Sequence, residues 1–221
     1  MLKVMETIEE SSSDLVWYAA YGSNLQMERF LCYLEGGCPA GARRTYLGSR
    51  NSAEPLATAP VSVTGEVFFA GESRVWTGGI AAYDPEAPGK VAARGYLLTS
   101  DQFSDVVAQE ARRPVGEDLD LDSVEPGQPL ELSGGYYDTV VQVGHRGGYP
   151  MLTLTAGDRP AELTSPAPGY LSTIAAGLGQ AHRWGVLRIR DYLEELPGVS
   201  GHWTADELDA LLEPGDPGFG R

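Results

Sequence analysis

Lysine is nearly missing from this chain: Lys3 and Lys90 stand against fourteen arginines among 221 residues. Sixteen basic residues face thirty-one acidic ones, for a formal net charge of -15. A field of that sign repels phosphate backbones and anionic lipid surfaces, so neither nucleic acid nor membrane is an expected partner. Cysteine is scarce too. Cys32 and Cys38 have no His/Cys cluster at zinc-ligand spacing around them, so no metal site is expected and reduced thiols fit a cytoplasmic protein. No stretch approaches the roughly 18 consecutive apolar residues of a membrane helix. Residues 1–14 are acidic and Ser-rich, without the apolar run of a signal peptide, and read as a flexible N-terminal arm. The preference for arginine over lysine matches a high-GC bacterial coding bias.

What is present describes one globular unit. The composition is 42% hydrophobic, with 28 Gly and 15 Pro scattered rather than gathered in a linker, and residues 15–221 read as a single domain. Leu15 to Tyr21 is an apolar, aromatic strand that ends at Gly22-Ser23-Asn24, and residues 24–34 follow with helical spacing, Ser23 or Asn24 serving as cap. A long connection, 41–60, has no clear period. Strands are expected at 62–69, 77–83 and 91–98, arranged as a meander. Thr99 or Ser100 then caps a helix through Gln109, strands follow at 136–143 and 149–155, and the tail, capped by Thr204 before its last helix, is a helical extension. The fold class is α+β: a small, mixed but mostly antiparallel β-barrel or strongly curved sheet with surrounding helices.

Two features carry chemistry. At Tyr21-Gly22-Ser23-Asn24 a strand meets a glycine turn and a helix start, where unpaired N–H groups and the positive helix end suit a carboxylate or a developing oxyanion. A plain strand-to-helix turn capped by Asn24 would have the same sequence. Glu110 falls on the helical face of Phe103, Val106 and Val107. Such a carboxylate either pairs with Arg112 or Arg113, frays into solvent, or stands at the floor of a pocket as a general base. No Gly-x-Ser-x-Gly elbow or phosphate-binding loop is present, and a triad of Ser23 with His182 is a weak alternative. The acidic stretch 117–125 lacks the ligand spacing of a calcium loop and reads as solvated.

Together these pieces resemble the gamma-glutamylcyclotransferase family. Tyr18-Ala19-Ala20-Tyr21-Gly22-Ser23-Asn24-Leu25, with Arg29 shortly after, is similar to its strand-and-loop signature, and Gly95 to Leu98 followed by Phe103 to Glu110 is similar to its catalytic segment. Tyr136-Tyr137 and Pro166-Ala167-Pro168-Gly169-Tyr170 match more weakly, and Val107, Asp138 and the Trp76 to Gly79 region depart from its pattern. The resemblance implies a lyase-type cyclotransferase that releases 5-oxoproline and a free amine from a small gamma-glutamyl amide, without cofactor or metal. Glu110 is then the general acid/base. Gly22, Ser23 and Asn24 bind substrate through their N–H groups, Tyr21 and Tyr137 line the pocket, and Arg29 either pairs with a carboxylate or is a surface or buttressing residue. An amidohydrolase or acyltransferase using the same pocket, and a non-catalytic binding module, are the alternatives; specificity is expected in 41–60 and 112–128.

Overall fold

The computed structural model describes residues 15–39 and 44–213. The expected N-terminal arm lies outside them. Eight strands and five α-helices follow in the order β1 (Leu15–Ala20), α1 (Met27–Glu35), β2 (Ala57–Thr64), β3 (Glu66–Ala70), β4 (Ile80–Asp84), β5 (Lys90–Thr99), α2 (Ser100–Glu110), β6 (Leu130–Glu131), β7 (Thr139–Arg146), β8 (Tyr149–Thr155), α3 (Pro168–His182), α4 (Val186–Glu194) and α5 (Ala205–Leu212). None of these helices is long and apolar enough to cross a membrane.

Six strands form one sheet in the order β2-β5-β1-β8-β7-β6, antiparallel except where β1 runs parallel to β8. β3 and β4 form a separate hairpin, so the expected meander holds only in its first step: β5 pairs with β2 and β1 rather than with β4. The expected strand 62–69 is in fact two strands, broken at Gly65, whose φ of 130° is open to glycine alone. Nor does the ladder close into a barrel. β2 and β6 are its edges, and β2 carries Pro60, which has no N–H to give a further strand. The hairpin reaches β8 through a side chain, Thr155 Oγ1 accepting from Tyr83 N at 2.9 Å and donating to Tyr83 O at 2.6 Å.

Period-two alternation along β1 divides the core into two layers. Trp17, Ala19 and Tyr21 join α3, α4, α5 and the β3–β4 hairpin on one face. Val16, Tyr18 and Ala20 join α1 and α2 on the other, where Phe30 stacks on Tyr96 at 3.9 Å between ring centroids. Each fully buried large side chain contributes about 1.5–3 kcal/mol, so both faces hold β1 firmly. The end of β1 is therefore a fixed point between the two layers. Thr99 and Gln102 close a capping box at the start of α2, and Thr204 with Glu207 does the same for α5, as their sequences lead one to expect.

The expected helix over 24–34 is shifted. Ser23–Leu25 is a 3-10 turn, α1 starts only at Met27, and neither Ser23 nor Asn24 caps it. The turn is pressed from behind by α3, where a Cβ on Gly177 would lie 2.4 Å from Leu25 Cβ and 2.7 Å from the Gln26 nitrogen. A glycine inside a helix costs about 1 kcal/mol of propensity; here it admits the turn.

Candidate active site

A cavity of about 460 Å³ opens where β1 ends. Seven of the chain's eleven tyrosines line it, together with Asn24, Arg29, Trp76 and Glu110. Each expected site residue is on its wall, including Tyr21, Gly22, Ser23 and Tyr137.

Glu110, the last residue of α2, is half-buried and makes no ion pair among the described residues, neither with Arg112 nor with Arg113. Its Oε1 accepts from the Tyr33 hydroxyl at 2.7 Å and from Asn24 Nδ2 at 3.1 Å. Both donors are neutral. Burial, with the Glu110 charge next, pushes the Tyr33 phenol well above its ordinary 10, so it stays protonated and donating through the physiological range. Tyr33 has one hydroxyl proton, and Glu110 Oε1 takes it. The Tyr46 hydroxyl, 3.2 Å from that of Tyr33, must therefore donate to it, and it accepts in turn from Arg29 Nη2 at 3.0 Å. The result is a directed chain, Arg29 to Tyr46 to Tyr33 to Glu110, that fixes Oε1. Oε2 has no protein donor among the described residues.

Opposite the carboxylate, the turn after β1 uses its side chains for the site rather than for capping. Ser23 Oγ accepts from Arg29 Nε at 2.6 Å, and Asn24 Nδ2 also reaches the Tyr18 hydroxyl at 3.3 Å. The backbone N–H groups of Gly22, Ser23 and Asn24 have no acceptor among the described residues. Arg29 is 5% exposed, which excludes a surface role. Burial alone would lower its pKa, but Tyr33, Tyr46 and Glu110 outweigh that and raise it, so the guanidinium is charged. Its Nη1 is buried without a partner, as is Asn24 Oδ1. Buried polar atoms left without a partner are costly, and both belong to residues of the cavity wall.

Tyr21 and Tyr137 form walls and have no hydroxyl proton to offer: Tyr21 donates to Leu154 O at 2.7 Å and Tyr137 to Ala81 O at 2.7 Å. The weak Ser–His alternative fails, because the His182 Nε2 contact is Ala93 O at 3.0 Å while Ser23 Oγ takes Arg29. Within 117–125, Asp118 binds Arg50 at 2.5 Å, Leu121 is buried, and among the described residues no group of three or more His, Cys, Asp or Glu is placed to hold a metal. Tyr33 and Tyr46 are contributors that sequence reasoning did not single out, and Tyr170 and Trp76 stand out there only as motif features without a role. Trp76 stacks on Tyr170 at 5.6 Å, and the Arg29 guanidinium carbon lies 5.4 Å from its ring centroid. Trp76, the first residue of the motif departure at 76–79, thus lies on the cavity wall.

No family model matches the chain. Among curated proteins it is similar to histone deacetylase 5 of Arabidopsis thaliana, 31% identical over 202 residues; the match takes in 81% of this chain but spans only 30% of that protein's length. Among solved structures it is similar to a gamma-glutamyl cyclotransferase, with TM-score 0.51 and 17% identity over 90% of this chain and 98% of that one. An uncharacterised protein from Homo sapiens aligns with TM-score 0.47 and 19% identity over 92% and 90% of the two chains. The chain has the fold of the gamma-glutamyl cyclotransferase.

Proposed function

We propose that the chain is a cyclotransferase that converts a gamma-glutamyl amide into 5-oxoproline and a free amine, with Glu110 as general acid/base. One observation carries this reading: a carboxylate, Glu110, oriented by neutral donors and with one oxygen free of protein donors, shares a cavity with a turn of unpaired N–H groups and the charged Arg29. The fold shared with a gamma-glutamyl cyclotransferase supports it. The likeness to a segment of a histone deacetylase concerns less than a third of that protein.

The chemistry needs no more than these groups. The α-amine of a gamma-glutamyl unit can reach its own γ-carbonyl to close a five-membered ring, and well-oriented intramolecular attack lowers a barrier by up to roughly 7–11 kcal/mol. The charge of Arg29 draws in the α-carboxylate, which sets the α-ammonium beside Glu110. Glu110 Oε2 removes a proton from that ammonium, and the nitrogen lone pair attacks the carbonyl carbon. The free N–H groups of the turn hold the oxyanion. As the C–N bond to the departing amine breaks, Glu110 returns the proton to it, and the second N–H proton of the ring nitrogen leaves by the same route. The enzyme ends as it began.

The test incubates purified protein with a panel of gamma-glutamyl amines and dipeptides and reads products by mass spectrometry. Release of 5-oxoproline with the free amine is expected. Free glutamate as the first product would replace cyclotransfer with hydrolysis.

A further inference from the structure

The cavity does not end at Glu110. A groove of about 480 Å³ adjoins it and shares Arg44, Tyr46, Arg74, Val75 and Arg112 with its lining. To these it adds Arg113, and among the described residues no aspartate or glutamate lines it. Four arginines thus converge from three segments: the connection after α1, the β3–β4 loop and the end of α2. They do so in a chain with thirty-one acidic residues to sixteen basic ones.

An exposed arginine on so acidic a surface ordinarily finds a carboxylate. Arg113 has only an exposed Glu117, at 3.6 Å. Arg44 gives Nη2 to Gln109 O at 2.7 Å and lies 4.8 Å over the Tyr46 ring. Arg74 and Arg112 are exposed and have no acidic partner among the described residues. Arg112 also holds a left-handed backbone, φ 57°, where glycine would avoid a cost of about 1–2 kcal/mol. The C-terminus of α2 favours any cation, which accounts for a charge at 112 but not for Arg44 and Arg74 arriving from elsewhere. Glu72 and Glu110 lie on the wall of the first cavity, outside the lining of this groove.

We infer that this groove holds the leaving amine of the substrate and selects amines that carry two negative charges, as a dicarboxylate or a phosphate monoester does. The inference rests on the cyclotransferase reading and names the substrate class that the reading leaves open.

The test compares kcat/KM for 5-oxoproline release from the gamma-glutamyl conjugates of aspartate, O-phosphoethanolamine, alanine and ethanolamine. Wild type is set beside the double variant Arg74→Gln/Arg112→Gln. The aspartate or phosphoethanolamine conjugate is expected to exceed the ethanolamine conjugate by at least about tenfold, the worth of one charge-assisted hydrogen bond. That ratio is expected to collapse in the double variant and with added salt. The stronger of the two dianions identifies phosphate or dicarboxylate as the source. Equal or better use of the ethanolamine conjugate by wild type overturns the inference. If no conjugate yields 5-oxoproline, the cyclotransferase reading fails separately. Calorimetric titration with O-phosphoethanolamine against ethanolamine then decides the groove: tighter binding of the dianion, lost in the double variant, supports it, and equal or absent binding refutes it.

Discussion

Of the three carboxylates on α2, Asp105 in the middle and Glu110 at the end have surroundings that differ in kind. Asp105 is fully buried and saturated: it accepts from Arg50 N at 2.8 Å, Arg50 Nε at 3.0 Å and Gly116 N at 3.0 Å. Its charge is matched and its lone pairs are occupied. It ties the connection after α1 and the loop after α2 to the helix. Glu110 is held through one oxygen by neutral donors, has no cation bonded to it, and opens onto a cavity. A matched charge makes a clamp; an oriented but unmatched one can take and return a proton. Exchanging the side chains at the two sites separates the two roles.

The largest effect is expected at Glu110. Glu110→Gln keeps the shape and removes the base, and should lower kcat for 5-oxoproline release by about 10²- to 10⁴-fold, while the melting temperature stays near that of wild type. Asp105→Asn should do the reverse. Loss of the charge partner of Arg50 and of acceptors for buried N–H groups is expected to cost about 1–3 kcal/mol in urea unfolding, with the kcat of the folded fraction largely kept. If Asp105→Asn abolished turnover without loss of stability, the distinction between the two acids would be broken.

Tyr33→Phe sharpens the comparison by removing a donor without touching either acid. A fall in kcat of about tenfold is expected, with KM less affected, because the change frees Glu110 rather than a substrate contact. The smallest effect concerns the opposite face of the sheet. Burial lowers the pKa of His182, which contacts Ala93 O as a neutral ring. A group depressed in the folded state contributes its stability above the ordinary value near 6.5 and loses it as pH falls through the folded value. The melting temperature of wild type should therefore drop more than that of His182→Gln between pH 7.5 and 5.5, by about 1 °C. Activity ratios at the two carboxylates should not follow it.

Local patterns made part of this site legible. Leu15 to Asn24 reads as strand and turn because an apolar run and a glycine act over a few residues, and Glu110 stands out as a charge on an apolar helical face. The sequence leaves Arg29 between a carboxylate partner and a surface or buttressing role, and its burial against Ser23 and Tyr46 decides against the surface. Tyr33 and Tyr46 were invisible because each looks like ordinary core; their function arises where the bridge between Gly37 and Tyr46 folds one over the other. The strand break at Gly65 was hidden because alternation continues across it, and the parallel pairing of β1 with β8 joins segments more than 130 residues apart in sequence. Ser23 and Asn24 were read as caps from their residue types, but tertiary partners within the cavity wall claim their side chains.

The central claim is that Glu110 drives ring closure by the substrate's own amine. The most direct measurement runs wild type and Glu110→Gln on a gamma-glutamyl dipeptide in water labelled with heavy oxygen and weighs the products. The account expects 5-oxoproline free of solvent oxygen from wild type and none from the variant. Glutamate carrying a solvent oxygen, or undiminished 5-oxoproline from Glu110→Gln, would contradict it.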